Sequence, residues 1–293
     1  MSAPSLPHTS RTRLVPLTSS RQIHMLSVGH GSTQVVFLHG VGGSPELYYE
    51  ILERAAQELD LTLFCPWLPN HGQSSTMSSY AEVVSTLLEW QRAVGIPPGL
   101  WVGHSIGGFL AVGAAHVDHD SVRSVLTIGA PLGAPHTKRP ITSTYLVPRL
   151  TYLAVEAALF GTAAQLHAGV QGHYGRLWQA QAHTMTSPVR AACTMAVMKS
   201  APDLTRPMKG LVACHGLRLT HLFGAWDRVV PPPDVPLPGA TVVVPKALHN
   251  FPLAGWGPSS TQVIRSCAEL LGTTWFPDAT PGRPRRFARQ ASG

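Results

Sequence analysis

Apolar runs and amphipathic segments alternate along the chain from residue 33 to residue 130. The apolar runs are short and nearly continuous, which is typical of strands covered on both faces of a parallel sheet; they lie at residues 33–40, 61–67, 100–104 and 122–130. Between them, apolar side chains recur with helical spacing at residues 45–60, 78–95 and 107–117. This order predicts an α/β fold with a mostly parallel central sheet and helices on both faces.

The alternation stops after Pro131, and residues 132–216 show mainly helical patterns. Strand patterns then return, and a final helical pattern closes the ordered part; these segments are 217–226, 240–245 and 258–272. We therefore predict one α/β core, formed by residues 21–131 and 217–276, that is interrupted by a helical insertion.

The two ends of the chain are predicted to lie outside this core. A strand-like pattern begins at residues 21–28, which leaves residues 1–20 as a flexible N-terminal arm. Residues 277–293 are rich in Pro, Gly and Arg with almost no apolar side chains, which predicts a disordered basic tail. The N-terminus lacks the apolar stretch of about 7–15 residues found in secretory signals. No apolar run approaches the ~20 residues of a membrane-spanning helix, so we expect a cytoplasmic protein with no transmembrane segment.

The stretch GLWVGHSIGG places Ser105 between a predicted strand and a predicted helix. A G-x-S-x-G pattern by itself also occurs in ordinary strand–helix turns, but this context is the one in which a strained turn exposes a nucleophilic serine. Gly103 and Gly107 have a steric purpose in that interpretation, since a Cβ at either position would clash where strand and helix pack closely. We therefore predict that Ser105 is a nucleophile.

A nucleophilic serine needs a base, and the base needs a carboxylate that orients it. In this strand–helix topology the three residues follow in the order serine, acid, histidine, each just beyond a strand. Asp227 follows the strand in LTHLFGAWDRVVPPP, and His249 follows the next strand in TVVVPKALHNFP. The alternative is that Asp227 is only a turn residue and His249 only a loop histidine. The matching order and positions favour a catalytic triad.

An oxyanion hole requires two backbone N–H donors aimed at the developing negative charge. The residue after the nucleophile, Ile106, is the first candidate donor. The second candidate is Val41, in the glycine-rich loop HGVGGS, where Gly40 and its neighbours permit a sharp turn. His39 in this loop is an alternative candidate for the catalytic base, but we expect its ring to stabilise the loop.

Taken together, these motifs resemble the α/β-hydrolase superfamily over about residues 21–272. They are the oxyanion loop HGVGGS, the turn PNHGQS, the nucleophile elbow GHSIGG, the acid loop FGAWDRVVPP and the histidine loop ALHNFP. The resemblance implies that Ser105, Asp227 and His249 are nucleophile, acid and base. It also implies that residues 132–216 form the helical cap that roofs the substrate pocket.

Three positions depart from the family's pattern. Trp67 stands where an Asp is often found, Asn70 where a Gly precedes the histidine of the PNHGQS turn, and Leu248 where a Gly precedes the catalytic histidine. We expect these changes to alter loop shape, but they remove no catalytic group. A serine nucleophile also argues against the dehalogenase and epoxide-hydrolase branches, which use an aspartate.

The predicted residues favour acyl transfer to water, with a small-molecule ester or thioester as substrate. A carbon–carbon bond hydrolase or an acyltransferase would use the same triad, and a ligand sensor on the same fold would need no rapid turnover. The predicted chemistry requires no metal and no cofactor. The four cysteines show no CxxC or Cys/His ligand spacing, so a zinc site is not expected.

The net charge of +7 is concentrated in one part of the chain. Between residues 133 and 218 stand nine Lys or Arg residues and two acids, Glu156 and Asp203. The charges either form the solvated faces of helices or attract an anionic substrate. They do not form a basic–aromatic groove, so no nucleic acid partner is expected. Nothing in the sequence indicates the oligomeric state.

Overall fold

The predicted strands pair into a single sheet in the computed structural model, which describes residues 10–18, 21–132, 187–253 and 257–275. The strands are β1 (Ser10–Thr18), β2 (Arg21–Val28), β3 (Thr33–Leu38), β4 (Leu61–Pro66), β5 (Gly99–His104), β6 (Val122–Ile128), β7 (Arg218–Gly224) and β8 (Ala240–Val244). Their order across the sheet is β1-β2-β4-β3-β5-β6-β7-β8. The first two strands are antiparallel to their neighbours and the other pairs are parallel. The predicted α/β class is confirmed.

Helices cover both faces of this sheet. They are α1 (Tyr49–Leu59), α2 (Tyr80–Val94), α3 (Ile106–Val117), α4 (Pro188–Lys199), α5 (Thr205–His215) and α6 (Gly257–Leu271). Neighbouring residues of one strand point to opposite faces, and β5 shows this clearly. Trp101 packs in the core that α2, α3 and α5 cover, whereas Leu100 packs in the core that α1 and α6 cover. The sheet is therefore buried on both sides, as its apolar strands require.

Local signals set the helix ends. Helix α2 begins after Ser79, whose hydroxyl accepts a hydrogen bond from the Glu82 N–H at 3.3 Å. The Glu82 carboxylate in turn lies 3.4 Å from the Ser78 N–H. Gly95 ends the helix with φ of 80°, a conformation that glycine adopts without strain. Among the described residues, no helix is both long and apolar enough to span a membrane.

The prediction of a flexible arm at residues 1–20 is wrong for residues 10–18, which form β1. This strand pairs with β2 along its whole length. Val15 packs into the core, whereas Arg11 and Arg13 are exposed, as expected of an edge strand with one solvent-exposed face. Pro16 interrupts the strand pattern in the sequence, since within sheets proline is found mainly on edge strands and at bulges.

The predicted helical insertion, residues 132–216, lies mostly outside the described residues, as does the predicted tail at 277–293. The described end of the insertion forms α4 and α5, which agrees with its helical pattern. However, Met208 and Leu211 of α5 are buried in the same core as α3. Helix α5 therefore belongs to the layer that covers the sheet, and the predicted boundary of the insertion at residue 216 is too late.

Candidate active site

Ser105 occupies the single position between the end of β5 and the start of α3. Its φ and ψ are 53° and −121°, a strained combination for a residue with a side chain. The flanking glycines permit this turn. A Cβ on Gly103 would overlap the backbone of Gly107, and a Cβ on Gly107 would overlap the carbonyl group of Leu38. The turn leaves the Ser105 side chain only partly buried at the carboxyl edge of the sheet.

The structure brings Ser105, His249 and Asp227 together at this edge. The loops that carry Asp227 and His249 follow β7 and β8, whose carboxyl ends lie on the same side as that of β5 because these strands are parallel. Nε2 of His249 is 3.2 Å from Oγ of Ser105. Nδ1 of His249 is 2.8 Å from Oδ2 of Asp227. The three side chains thus form one hydrogen-bonded line.

The partners of Asp227 determine which nitrogen of His249 carries the proton. Oδ1 of Asp227 accepts hydrogen bonds from the Val229 and Val230 N–H groups, both at 2.8 Å. Oδ2 faces Nδ1 of His249, and a carboxylate oxygen can only accept. Nδ1 of His249 therefore donates, and in the neutral ring Nε2 is the acceptor that faces the serine hydroxyl. Asp227 and His249 are both 3% exposed, so this arrangement is shielded from water.

The loop after β3 fixes the orientation of the peptide that joins Gly40 and Val41. The carbonyl oxygen of Gly40 accepts hydrogen bonds from Nδ1 of His39 at 2.7 Å and from the Gly43 N–H at 3.1 Å. Because the peptide is planar and trans, the N–H of Val41 on the same peptide points the opposite way. Gly40 packs so closely that an added Cβ would lie 3.4 Å from Cβ of Ser105.

The second N–H belongs to Ile106, the first residue of α3. The first N–H groups of a helix have no partner within the helix, and the helix dipole adds positive character there. In the described part of the chain, no acceptor contacts the N–H of Val41 or of Ile106. Val41 and Ile106 therefore remain the two predicted oxyanion donors.

His39 uses both ring nitrogens on the backbone. Nδ1 donates to the carbonyl of Gly40, and Nε2 accepts from the Leu68 N–H at 3.0 Å. The ring is fully buried, and burial holds its pKa well below the ordinary value. Neither nitrogen is available to take a proton from Ser105. The contacts suit a bracing role for His39 between its loop and the turn after β4.

His71 is the histidine of the PNHGQS turn, and the structure gives it a contact that the sequence did not predict. Its Nε2 accepts a hydrogen bond from the Gly42 N–H at 3.0 Å, and its Nδ1 donates to the carbonyl of Pro69 at 3.0 Å. Burial lowers the pKa of His71 to about 4, so the ring stays neutral and keeps this acceptor. The contact joins loops 29 residues apart, and no local pattern could have indicated it.

The neighbouring Asn70 stands where the family often has a glycine. Its φ is 72°, in the left-handed region that glycine favours and asparagine tolerates. The side chain fixes the turn through two bonds to the backbone of Met77, at 2.7 and 3.0 Å. Trp67, the second departure, is buried and stacks on His24 with ring centroids 3.8 Å apart.

The fold and this arrangement are those of an α/β hydrolase. A family model described as the alpha/beta hydrolase fold matches residues 33–206, more than half of the chain. The chain therefore belongs to this family.

Similar proteins of known identity fall within the same class. The chain is 27% identical over 125 residues to a pimeloyl-[acyl-carrier protein] methyl ester esterase of Proteus mirabilis, covering 41% of this chain and 45% of that protein. It is 27% identical over 164 residues to a (lyso)-N-acylphosphatidylethanolamine lipase of Bos taurus, covering 53% of this chain and 46% of that one. It thus spans less than half the length of these relatives. A solved thioesterase domain from the curacin biosynthetic pathway has the same fold, with a TM-score of 0.61, 17% identity and coverage of 90% and 99%.

Proposed function

We propose that this protein is a serine hydrolase that cleaves a carboxylic ester or thioester through an acyl-enzyme on Ser105. The observation that carries the proposal is the hydrogen-bonded line from Ser105 through His249 to Asp227. The N–H groups of Val41 and Ile106 are the proposed oxyanion donors. With them, the site would have the nucleophile, base, orienting acid and oxyanion hole that acyl transfer requires.

Acylation begins when Oγ of Ser105 attacks the substrate carbonyl carbon and Nε2 of His249 takes the hydroxyl proton. Asp227 stabilises the imidazolium that forms. The N–H groups of Val41 and Ile106 bind the oxyanion, and losing one such donor typically costs ~2.7–4 kcal/mol of barrier. When the intermediate collapses, the bond to the leaving alcohol or thiol breaks. His249 returns its proton to that leaving group.

Deacylation repeats these steps with water as the nucleophile. His249 takes a proton from water, the oxygen of which attacks the acyl carbon. The second intermediate breaks the bond to Oγ of Ser105, and His249 protonates Oγ. The products are a carboxylic acid and the free enzyme, so atoms and charges balance without another reactant.

Similar proteins favour an ester or thioester bond over a carbon–carbon bond. One relative is named as a methyl ester esterase and another as a lipase. The relatives match less than half of their own length, so their particular substrates are not transferred to this chain. The proposed class is a small-molecule ester or thioester.

The test combines turnover with covalent labelling. We expect the protein to hydrolyse short p-nitrophenyl esters repeatedly and to react once with a fluorophosphonate, at Ser105. Ser105→Ala should lose both, retaining only the residual rate that the oxyanion hole and binding supply. Ser85→Ala, at an exposed position of α2, is the matched control and should keep both activities.

Each alternative has a distinct outcome in this experiment. Labelling of Ser105 with only a single turnover would indicate a ligand sensor. Transfer of the acyl group to an added alcohol faster than to water would indicate an acyltransferase. Unchanged turnover in Ser105→Ala would contradict the proposal.

A further inference from the structure

A buried chain of hydrogen bonds runs behind Ser105 and joins three loops of the candidate site. The N–H of Gly40, in the loop after β3, donates to the hydroxyl of Tyr48 at 3.3 Å. That hydroxyl lies 2.7 Å from Nδ1 of His104, the residue before Ser105. Nε2 of His104 lies 3.0 Å from the carbonyl oxygen of His249. Tyr48 and His104 are each 2% exposed, so the chain is closed to water.

The direction of every bond in this chain follows from its ends. The carbonyl oxygen of His249 can only accept, so Nε2 of His104 carries a proton and donates. Burial lowers the pKa of His104 to about 3, so the ring is neutral and Nδ1 is an acceptor. The Tyr48 hydroxyl must therefore donate to Nδ1. Its oxygen then receives the Gly40 N–H, and every group has a partner.

This chain of hydrogen bonds connects the groups that must stay together for acyl transfer. Gly40 precedes Val41, whose N–H is a proposed oxyanion donor. His104 precedes the nucleophile, and the last bond holds the backbone of His249 itself. Close packing reinforces the link, since a Cβ on Gly40 would lie 2.9 Å from Nδ1 of His104. The rings of His104 and His249 are also in contact, with centroids 4.9 Å apart.

We propose that Tyr48 and His104 are positioning residues, which keep the oxyanion loop, the nucleophile and the histidine loop in their working geometry. This inference rests on the proposed hydrolase function. Catalytic groups must be held to within about 0.5 Å, and buried hydrogen bonds to neighbouring backbone are the usual means. Both side chains are buried, so both act through the groups that they hold.

Tyr48→Phe is the sharpest variant, because it keeps the ring and its packing on Phe37 and removes only the hydroxyl. The Gly40 N–H and Nδ1 of His104 then both lose their partner. We expect kcat to fall by roughly 10- to 100-fold, the cost of a misplacement of about 1 Å. KM should change little, since neither residue contacts substrate.

Tyr80→Phe is the matched control. Tyr80 is also buried, at 7% exposure, and it packs on Phe109. Within the described ranges, its hydroxyl has no hydrogen-bond partner. Removing this hydroxyl therefore tests the loss of a buried oxygen without the loss of a bond, and kcat should stay at the wild-type value.

A second pair of variants covers the case in which Tyr48→Phe does not fold. A glutamine at position 104 offers one acceptor and one donor about as far apart as the ring nitrogens of histidine. His104→Gln should therefore retain several-fold more activity than His104→Leu. Equal kcat values for these two variants would overturn the positioning role of His104.

The experiment measures kcat and KM per fluorophosphonate-reactive site, together with hydrogen exchange of the Gly40 amide. A lower kcat, an unchanged KM and faster Gly40 exchange in Tyr48→Phe, with none of these in Tyr80→Phe, support the proposal. Wild-type values in Tyr48→Phe for both kcat and exchange overturn it while leaving the hydrolase intact. If the wild type neither labels nor turns over, the proposed function fails, and the Gly40 exchange rates still decide whether Tyr48 holds the loop.

Discussion

At the scale of single residues, Asp227 divides its two carboxylate oxygens between different tasks. Oδ1 is held by two backbone N–H groups, and Oδ2 receives Nδ1–H of His249. The first pair of bonds fixes the carboxylate, and the single bond to His249 fixes the histidine tautomer. The two tasks can be separated by a variant that keeps the shape and removes the charge.

We expect Asp227→Asn to lower kcat by about 10³- to 10⁴-fold with little change in thermal stability. The amide oxygen can still accept from Val229 and Val230, which turns the NH₂ group toward His249. Nδ1 of His249 must then accept, so Nε2 carries the proton and cannot take one from Ser105. Steady-state kinetics and a melting curve check this, with the exposed Asp234→Asn as control. A large loss in Asp234→Asn and none in Asp227→Asn would contradict the assignment.

At the scale of elements, a buried histidine ties together the strands that lead to the site. His221, in the middle of β7, has Nδ1 2.7 Å from the hydroxyl of Thr127 on β6 and Nε2 2.9 Å from the carbonyl of Pro238, shortly before β8. Pro238 can only accept, so Nε2 donates and Nδ1 accepts from Thr127. The ring is neutral and fully buried. The loops of Asp227 and His249 follow the strands held in this way.

This arrangement predicts loss of stability in acid. Burial lowers the pKa of His221 to about 4 from an ordinary value of 6.5. Between those values the unfolded chain binds a proton that the folded chain does not, so the free energy of unfolding falls as pH falls from about 6.5 toward 4. A shift of this size corresponds to a contribution on the order of 3 kcal/mol.

Urea unfolding at pH 7 and pH 4.5 measures this contribution. His221→Gln keeps one donor and one acceptor but does not titrate, so its stability should depend less on pH than that of the wild type. His30→Gln, at an exposed position, is the control and should behave as the wild type. Equal pH dependence in all three proteins would show that His221 is not the cause.

At the scale of the whole molecule, the net charge of +7 raises the question of an anionic substrate. The basic residues are concentrated between residues 133 and 218. Most of those that the structure describes are exposed to solvent; these are Lys199, Arg206, Lys209 and Arg218. Arg190 on α4 differs, because its Nη1 is buried and has no hydrogen-bond partner among the described residues. Burial lowers the pKa of His71, and the nearby charge of Arg190 lowers it further. Arg190 therefore lies within electrostatic range of His71, whose ring binds the N–H of Gly42.

We expect Arg190→Gln to lower kcat/KM for an anionic ester by up to about fivefold at low salt, which corresponds to ~1 kcal/mol for a charge pair near the surface. A neutral ester with the same acyl chain should be unaffected, as should Lys209→Gln with either substrate. The difference should vanish at 1 M salt, where the Debye length is ~3 Å. If both esters respond alike in both variants, the positive charge serves solubility alone.

Much of the fold is readable from the sequence, because strand and helix patterns depend on near neighbours. The runs at 61–67 and 100–104 are strands within a residue or two of the predicted ends. The pattern misassigned two elements, β1 and α5. Strand β1 is interrupted by Pro16, so its residues look like an irregular arm although it pairs with the next strand, β2. Helix α5 looks like a part of the insertion, and only its packing in the core with α3, which lies far away in the sequence, shows where it belongs.

The sequence alone predicts the α/β class, the strained turn at Ser105 and the order of serine, acid and histidine. Each of these depends on the residue types within a short stretch of the chain. Their catalytic roles remain predictions that the kinetics will test. Only the tertiary structure shows that His71 holds Gly42 and that Tyr48 and His104 link Gly40 to His249. Those contacts join residues up to 145 positions apart. They exist because the parallel strands bring their carboxyl ends, and the loops that follow, to one edge of the sheet.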